Sequence, residues 1–193
     1  MRTRLAGFFN CICDMSECPE KACVKWDRAR SSDMIHIRID GCVVTSNDVQ
    51  KCDCLVLYTP SGADKCFVFL VEAKSTSYGV DEVVNQLQTG RDVFNRVVQS
   101  IGAATIQPAF VQSLLPVELQ GNAGLVSLLV RSLSCLRTQQ YAIIPVLCAN
   151  KKIDLLKRVG YSDRFKITVG KRKLPIHFKK CGEDILDVVK RPA

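Results

Sequence analysis

The chain has 193 residues and a net charge of +8, and 47% of its residues are hydrophobic. This length suits one domain, and this hydrophobic fraction is enough for a core of its own. No window reaches the roughly 18 uninterrupted apolar residues of a membrane span, and the apolar stretch around Phe8 and Phe9 is soon followed by Asp14 and Glu17. We therefore expect one soluble, cytoplasmic domain over residues 1–193, with no secretory signal and no membrane partner.

The positive charge is concentrated at the end of the chain. Residues 1–150 carry 14 Lys and Arg against 14 Asp and Glu, whereas the basic C-terminal segment, residues 151–193, carries 13 against 5. Such a segment suits a polyanionic partner, because each Lys or Arg placed on a phosphate releases a condensed counterion. A solvated surface that keeps the protein soluble is the alternative. The residues expected to contact nucleic acid are Lys171, Arg172, Lys173, Lys179 and Lys180.

Eleven cysteines are present, which is unusual for a cytosolic protein. Most lie in a Cys-rich segment at about residues 11–66, without the paired Cys-x-x-Cys knuckles that are typical of a zinc site. Disulfides, a zinc or iron–sulfur site, and buried thiols that act as small apolar groups all remain open. We expect at least one disulfide among Cys11, Cys13, Cys18, Cys23, Cys42, Cys52, Cys54 and Cys66.

The predicted elements begin with a short amphipathic helix at residues 19–30. Residues 34–40 then alternate apolar and polar side chains, which predicts a half-buried strand with His36 partly exposed. Residues 52–58 and 66–75 are two further strands, joined by a turn that contains Pro, Gly and Asp.

A long helix is predicted over residues 80–101, where apolar side chains recur at helical spacing and Gly90 is a potential break. Residues 102–124 are expected to form an insertion that contains loops. The remaining predictions are a helix at 125–136, a strand at 141–150 that Pro145 bends or leaves partly at an edge, a strand at 165–169 and a short helix near 183–191. This order describes a mixed α/β sheet with helices on its faces.

Charged residues interrupt two of the apolar strands. Asp53 lies within the strand at 52–58, and Glu72 and Lys74 are two residues apart at the polar end of the next strand, so they share a face. A carboxylate among buried residues is costly unless something neutralises it, and a divalent cation would do so. Asp53, Glu72 and the backbone carbonyl of Ala73 would suit Mg²⁺ or Mn²⁺. Lys74 could orient or help deprotonate the attacking water and stabilise charge on the phosphate.

The strand order, the Asp on the second strand and Glu-x-Lys on the third resemble the PD-(D/E)xK superfamily of restriction-endonuclease-like nucleases. Cys52 stands where the Pro of that motif would be, and the spacing from Asp53 to Glu72 is at the long end of what a hairpin needs. The resemblance covers roughly residues 17–100, and 141–150 more loosely. It implies a restriction-endonuclease-like mixed sheet flanked by helices, and a divalent-metal-dependent nuclease that hydrolyses phosphodiester bonds, with DNA favoured over RNA.

The same resemblance implies further site residues. An acidic residue on the first helix would be Glu20 in preference to Glu17, and Gln86 matches a Gln that some branches place near the site. Ser75 follows Lys74 as in the archaeal Holliday-junction resolvases, which work as dimers. Glu20 could equally be a charge at a helix start, Gln86 an exposed helix residue and Ser75 a hydroxyl at a strand end.

Two alternatives to the general nuclease remain open. One is a structure-selective endonuclease of the junction-resolvase type, which would be a homodimer. The other is a catalytically silent member of the fold that binds nucleic acid or protein. With only His36 and His177 in the chain, a Ser-His-Asp hydrolase is disfavoured. No Gly-rich phosphate loop of the GxxxxGK type occurs, so ATP-driven activity is not expected.

Overall fold

The structure is a computed structural model that describes residues 2–13, 24, 32–39, 52–74, 78–102, 105–150 and 165–190. Its helices within these ranges are α1 (Arg2–Phe9), α2 (Val80–Ile101), α3 (Pro108–Gln112), α4 (Ala123–Arg137) and α5 (Asp187–Lys190), with a short 3-10 turn at Val117–Leu119. Its strands are β1 (Met34–Arg38), β2 (Cys54–Tyr58), β3 (Cys66–Lys74), β4 (Tyr141–Ala149), β5 (Lys166–Val169), β6 (Arg172–Pro175) and β7 (His177–Lys180).

A mixed sheet of five strands, in the order β1-β2-β3-β4-β7, lies at the centre of the described chain. β1, β2 and β3 are antiparallel neighbours, whereas β4 runs parallel to β3 and β7 runs parallel to β4. The chain between β3 and β4 contains α2, α3 and α4, as a parallel crossover requires. The predicted mixed α/β sheet with flanking helices is confirmed.

Both faces of this sheet are buried. One face packs against α1, α2 and α4, and we call it the α2 face. The opposite face is covered by Val24 and by Ile185 and Leu186 near α5. The half-buried strand that alternation predicted at residues 34–40 is therefore wrong in one respect: β1 is buried on both sides up to its last residue, and His36 is only 7% exposed. Alternating hydrophobicity could not reveal the second covering layer.

The elements that hold the core are largely those that periodicity predicts. Strands form within residues 34–40, 52–58, 66–75 and 141–150, and the two long helices form at α2 and α4. The predicted strand at 165–169 forms as β5, but it pairs with β6 in a separate two-stranded sheet. The fifth place in the central sheet belongs to β7, which was not predicted.

Three further differences concern the ends and the insertion. Helix α1 was not predicted, although its Leu5, Phe8 and Phe9 are fully buried in the core. The insertion at 102–124 contains α3 and a 3-10 turn. The predicted helix at 19–30 lies outside the described residues except for Val24.

The first half of β4, including Pro145, pairs only with β3 among the described strands, and pairing with β7 begins at Val146. The edge position that Pro145 predicted is therefore confirmed, because an edge does not need the missing N–H. None of the described helices combines the length and the apolar composition needed to cross a membrane.

Helix α2 approaches the start of β2 at Gly90, which is buried. A Cβ at this position would overlap Sγ of Cys52, a side chain that is itself fully buried. The helix continues unbroken through Gly90 to Ile101, so the predicted break at this residue is wrong. The glycine instead permits close packing of the helix on the chain just before Asp53.

Replacing Gly90 with Ala should therefore destabilise the protein. Ala improves helix propensity by about 1 kcal/mol, but the overlap with Cys52 should outweigh this gain and give a net loss of about 1–3 kcal/mol in urea unfolding. Gly102→Ala is the matched control, because Gly102 has right-handed helical dihedrals and only ordinary contacts around its Cβ position. The double variant Gly90→Ala/Cys52→Ala should recover part of the loss; equal stability of Gly90→Ala and Gly102→Ala would contradict the packing explanation.

Candidate active site

Glu72 and Lys74 lie at the end of β3, on the α2 face of the sheet. Side chains alternate along a strand, so these two residues continue the row of Val68 and Leu70, which are buried against the helices of that face. Glu72 is only 1% exposed and Lys74 is 18% exposed. The strand therefore brings a carboxylate into the core immediately before the chain reaches the surface.

Asp53 lies beside Glu72 where β2 separates from β3. The last pair of the β2–β3 ladder is Cys54 with Val71, and one more step of this register places Asp53 opposite Glu72. In place of a regular ladder bond, the backbone N–H of Ala73 donates to Oδ2 of Asp53 at 2.6 Å. The backbone N–H of Cys52 donates to the carbonyl of Gln86 on α2 at 3.1 Å. The site thus forms where strand pairing gives way to side-chain and helix contacts.

The carbonyl of Ala73 follows from the same geometry. In an extended strand the N–H and C=O groups of one residue point to the same side. The N–H of Ala73 points toward Asp53, so its carbonyl points to that edge as well. Asp53, Glu72 and the Ala73 carbonyl, which the sequence predicted as metal ligands, are therefore brought together.

The ionisation of Glu72 is strongly perturbed. Burial, and then repulsion by the Asp53 carboxylate, raise the pKa of Glu72 to about 8, although Lys74 opposes the shift. Oε1 of Glu72 is 2.8 Å from Nζ of Lys74. Oε2 is buried and has no hydrogen-bond partner among the described residues. A buried oxygen in this condition is costly unless a proton or a cation occupies it.

Lys74 lies between two carboxylates. Its Nζ is 2.8 Å from Glu72 and donates to Oε1 of Glu82, on the first turn of α2, at 2.6 Å. Burial alone would lower the pKa of Lys74, but the hydrogen bonds to Glu72 and Glu82 outweigh it and raise this pKa. The arrangement holds Lys74 as a cation, which argues against its role as the base that deprotonates water.

Glu82 was not singled out in the sequence. It belongs to a row on α2 that comprises Glu82, Gln86 and Gly90, which are four residues apart and so share one side of the helix. Glu82 accepts a hydrogen bond from Lys74, the carbonyl of Gln86 accepts one from the backbone N–H of Cys52, and Gly90 packs on Cys52. This spacing, starting three residues after the helix cap Gly79, was the signal that could have identified Glu82.

Gln86 lies close to Asp53, because its backbone carbonyl accepts a hydrogen bond from Cys52, the residue before Asp53. Its side-chain Oε1 is buried and has no hydrogen-bond partner among the described residues. The exposed helix position that was the alternative for Gln86 is therefore excluded by its surroundings. Glu20, Glu17 and Ser75 lie outside the described residues.

The donors that are present fit a hard divalent cation. Two carboxylates and one backbone carbonyl are oxygen ligands, which Mg²⁺ and Mn²⁺ accept, and the bare Oε2 of Glu72 is available to one of them. In the described part of the chain, no group of three or more His, Cys, Asp or Glu side chains is placed to hold a metal ion. A cation here would therefore depend on carbonyl, water or substrate oxygens, besides the two carboxylates.

Six cysteines of the described chain are not disulfide-bonded: Cys13, Cys52, Cys54, Cys66, Cys135 and Cys148. Five of these six are buried. Burial raises the pKa of Cys66 and of Cys148 to about 12 in each case, so these thiols behave as small apolar groups. The predicted disulfide remains a prediction for the other members of the group, of which Cys18, Cys23 and Cys42 lie outside the described residues.

The basic residues predicted to contact nucleic acid separate into two groups. Lys171, Arg172 and Lys173 are exposed at the tip and second strand of the β5–β6 hairpin. Gln88 of α2 holds this hairpin, because its side-chain amide accepts from the N–H of Thr168 at 2.8 Å and donates to its carbonyl at 3.2 Å. The hairpin is thereby attached to the helix that also carries Glu82 and Gln86.

Lys179 and Lys180 point to opposite faces of the sheet. Lys179 is half-buried on the face opposite α2, where its Nζ is 3.6 Å from Asp187. Lys180 is exposed. It pairs with Ala149 of β4, which in turn pairs with Lys74 of β3, so Lys180 lies on the α2 face at the level of the site. Two strand spacings separate Lys180 from Lys74, which is about 10 Å between backbones.

Comparison with known proteins identifies no relative. No family model matches the chain, and neither the curated proteins nor the solved structures include one that is significantly similar to it.

The raised pKa of Glu72 makes stability depend on pH. Between the ordinary carboxyl pKa and about 8, the unfolded chain has lost the Glu72 proton while the folded chain retains it. Stability in chelator should therefore fall as pH rises through this window, by at most about 1.4 kcal/mol per pH unit from this group. Urea unfolding of wild type and Glu72→Gln from pH 5 to 8 measures it, because the Gln variant lacks the titration. Parallel pH curves for the two proteins would contradict the shift.

Proposed function

We propose that the protein is a divalent-metal-dependent nuclease with a restriction-endonuclease-like fold. One observation carries the proposal: Asp53, one residue before β2, and Glu72, near the end of β3, converge where the two strands separate, and an oxygen of Glu72 is buried there without a hydrogen-bond partner among the described residues. A neighbouring cation, Lys74, completes the set of groups that phosphodiester hydrolysis requires. The mixed sheet, with three antiparallel strands followed by a helical crossover to a parallel strand, is consistent with that fold.

Asp53, Glu72 and the Ala73 carbonyl would hold Mg²⁺ or Mn²⁺. Such an ion, when bound, supplies a polarised phosphate and a more acidic bound water. The protein contributes the position of the two carboxylates: Asp53 is fixed by the N–H of Ala73, and Glu72 by the surrounding core. Because their donors are already fixed by the fold, little reorganisation is needed at the moment of reaction.

Lys74 would act on the phosphate as a positive charge. Its ammonium is held by Glu72 and Glu82 within hydrogen-bond distance, so it can stabilise negative charge that develops on the phosphate oxygens and can orient a water molecule. Proton removal from that water then falls to another group or to solvent. Gln86, beside Cys52 and Asp53, would position substrate or water with its side-chain amide.

Nucleic acid, with DNA favoured, is the proposed substrate. Lys180 supports this choice, because it lies on the same face and at the same level of the sheet as Lys74 and can reach a phosphate next to the one that is cleaved. The hairpin residues Lys171, Arg172 and Lys173 would contact the nucleic acid farther along. A nuclease assay on single-stranded, duplex and branched DNA and on RNA, with Mg²⁺, Mn²⁺ or chelator, tests the function and distinguishes the general nuclease from a junction-resolving one.

Changes in the site should abolish cleavage without loss of the fold. Asp53→Asn, Glu72→Gln and Lys74→Ala should each lower metal-dependent cleavage by at least about a hundredfold, and the two carboxylate changes should also weaken Mn²⁺ binding measured by calorimetry. Asp64→Ala and Lys65→Ala are matched controls, because both residues are exposed in the turn at the opposite end of β2 and β3. Full activity of Glu72→Gln, or no cleavage by wild type with either metal, would contradict the catalytic assignment.

The two neighbouring lysines of β7 should differ in nucleic-acid binding. Lys180→Ala should weaken binding to all sequences and reduce the log–log salt slope by about 0.9, the value for one phosphate on duplex DNA. Lys179→Ala should leave the slope unchanged, because Lys179 faces the other side and pairs with Asp187. Fluorescence anisotropy at several salt concentrations measures both variants. The combined variant of Lys171, Arg172 and Lys173 should reduce the slope by up to about three units, and an unchanged slope would mark the hairpin as a solvated surface.

A further inference from the structure

We infer that Glu82 is the positioning residue of the site: it holds the ammonium of Lys74 at the reacting phosphate when the Glu72 carboxylate binds the metal ion. This inference rests on the proposed function and extends it to a residue that neither the motif nor its spacing identifies. Glu82 lies on α2, eight residues beyond Lys74, and its contact with Lys74 joins the end of β3 to the start of the crossover helix.

The contacts of Lys74 show why one carboxylate is not sufficient. Its Nζ is 2.8 Å from Glu72 and 2.6 Å from Glu82. In the proposed function the Glu72 carboxylate binds a divalent cation, so it attracts the neighbouring Lys74 ammonium less strongly. The cation also repels that ammonium. Glu82 is the partner that remains, and without it the flexible four-carbon side chain of Lys74 would be free to leave the site.

The surroundings of Glu82 suit this role. Its side chain is 40% exposed, so its carboxylate is solvated and ionised without help from Lys74, unlike that of Glu72. It is fixed at its base by the first turn of α2, and its Oε2 lies 3.5 Å from the backbone N–H of Gly79. The helix in turn is fixed against Cys52 through Gly90 and Gln86. The helix that lies beside Asp53 therefore also fixes the position of the Lys74 ammonium.

A purely structural role for Glu82 is the competing explanation. An acidic residue in the first turn of a helix stabilises the helix through its dipole and its free N–H groups. Asp81 provides the control for this effect, because it is acidic, exposed and in the same turn. Glu82→Gln retains a hydrogen-bond acceptor for Gly79 and a good helix former, but it removes the charge that faces Lys74.

The first measurement does not depend on activity. In protein saturated with Mn²⁺, which binds the Glu72 carboxylate in the proposed function, the rate at which acetic anhydride modifies Lys74, followed by mass spectrometry of the digest, should rise about tenfold in Glu82→Gln, because a charge-assisted hydrogen bond to the ammonium is lost. Asp81→Asn should leave this rate within about twofold of wild type. Equal modification of Lys74 in wild type and in Glu82→Gln would overturn the inference.

The second measurement is a double-mutant cycle on cleavage. Glu82→Gln should lower kcat about tenfold with little change in KM or in Mn²⁺ affinity, whereas Asp81→Asn should alter none of these. In a Lys74→Ala background, Glu82→Gln should have no further effect, because its action passes through Lys74. Glu82→Asp, which keeps the charge, should restore part of kcat. An additive loss in the Lys74→Ala background, or the same loss in Asp81→Asn, would overturn the positioning role.

The two proposals fail in different ways. A wild-type protein that cleaves no nucleic acid with either metal overturns the proposed function and the catalytic part of this inference together. A wild-type protein that cleaves, with Glu82→Gln equally active and Lys74 equally modified, overturns the role of Glu82 alone.

Discussion

The burial of Glu72 beside Asp53 is the constraint around which the described structure is organised. Two carboxylates in adjacent register on a sheet repel each other, and the low polarity of the core strengthens that repulsion. The fold answers with three compensations: the Ala73 N–H on Asp53, the Lys74 ammonium on Glu72, and a pKa of Glu72 raised to about 8. These compensations are incomplete, because Oε2 of Glu72 has no hydrogen-bond partner in the described chain. This unsatisfied oxygen is the observation on which the proposed cation site rests.

Helix α2 converts this local arrangement into a defined site. On one side of the helix, Glu82 binds Lys74 and the carbonyl of Gln86 accepts a hydrogen bond from the backbone N–H of Cys52. One turn further along, Gly90 packs against the side chain of Cys52. From another side Gln88 binds the backbone of β5 through two hydrogen bonds. The ammonium, the strand end that bears Asp53 and the basic hairpin are therefore positioned by one rigid element. A small displacement of α2 would therefore move all three.

The basic end of the chain is not a uniform surface. Alternation along β7 sends Lys179 toward Asp187 on one face and Lys180 to the face and level of Lys74. The hairpin of β5 and β6, which precedes β7 in the chain, presents Lys171, Arg172 and Lys173 to solvent. The basic residues therefore differ in their surroundings: Lys179 contacts Asp187 of α5, whereas Lys171, Arg172, Lys173 and Lys180 are exposed.

The sequence by itself determined four of the five strands of the central sheet, the two long helices and the pair Glu72 and Lys74, because period and strand alternation are local properties. It placed Asp53 within the strand preceding them, whereas in the structure that strand, β2, begins one residue later, at Cys54. Only the tertiary structure decided that β1 is buried on both faces, that β7 rather than β5 joins the central sheet, and that α1 contributes to the core. It likewise decided the contact of Glu82 with Lys74 and the close approach at Gly90. These features arise where distant segments meet, and a covering layer or a facing side chain leaves no period in the segment that it covers.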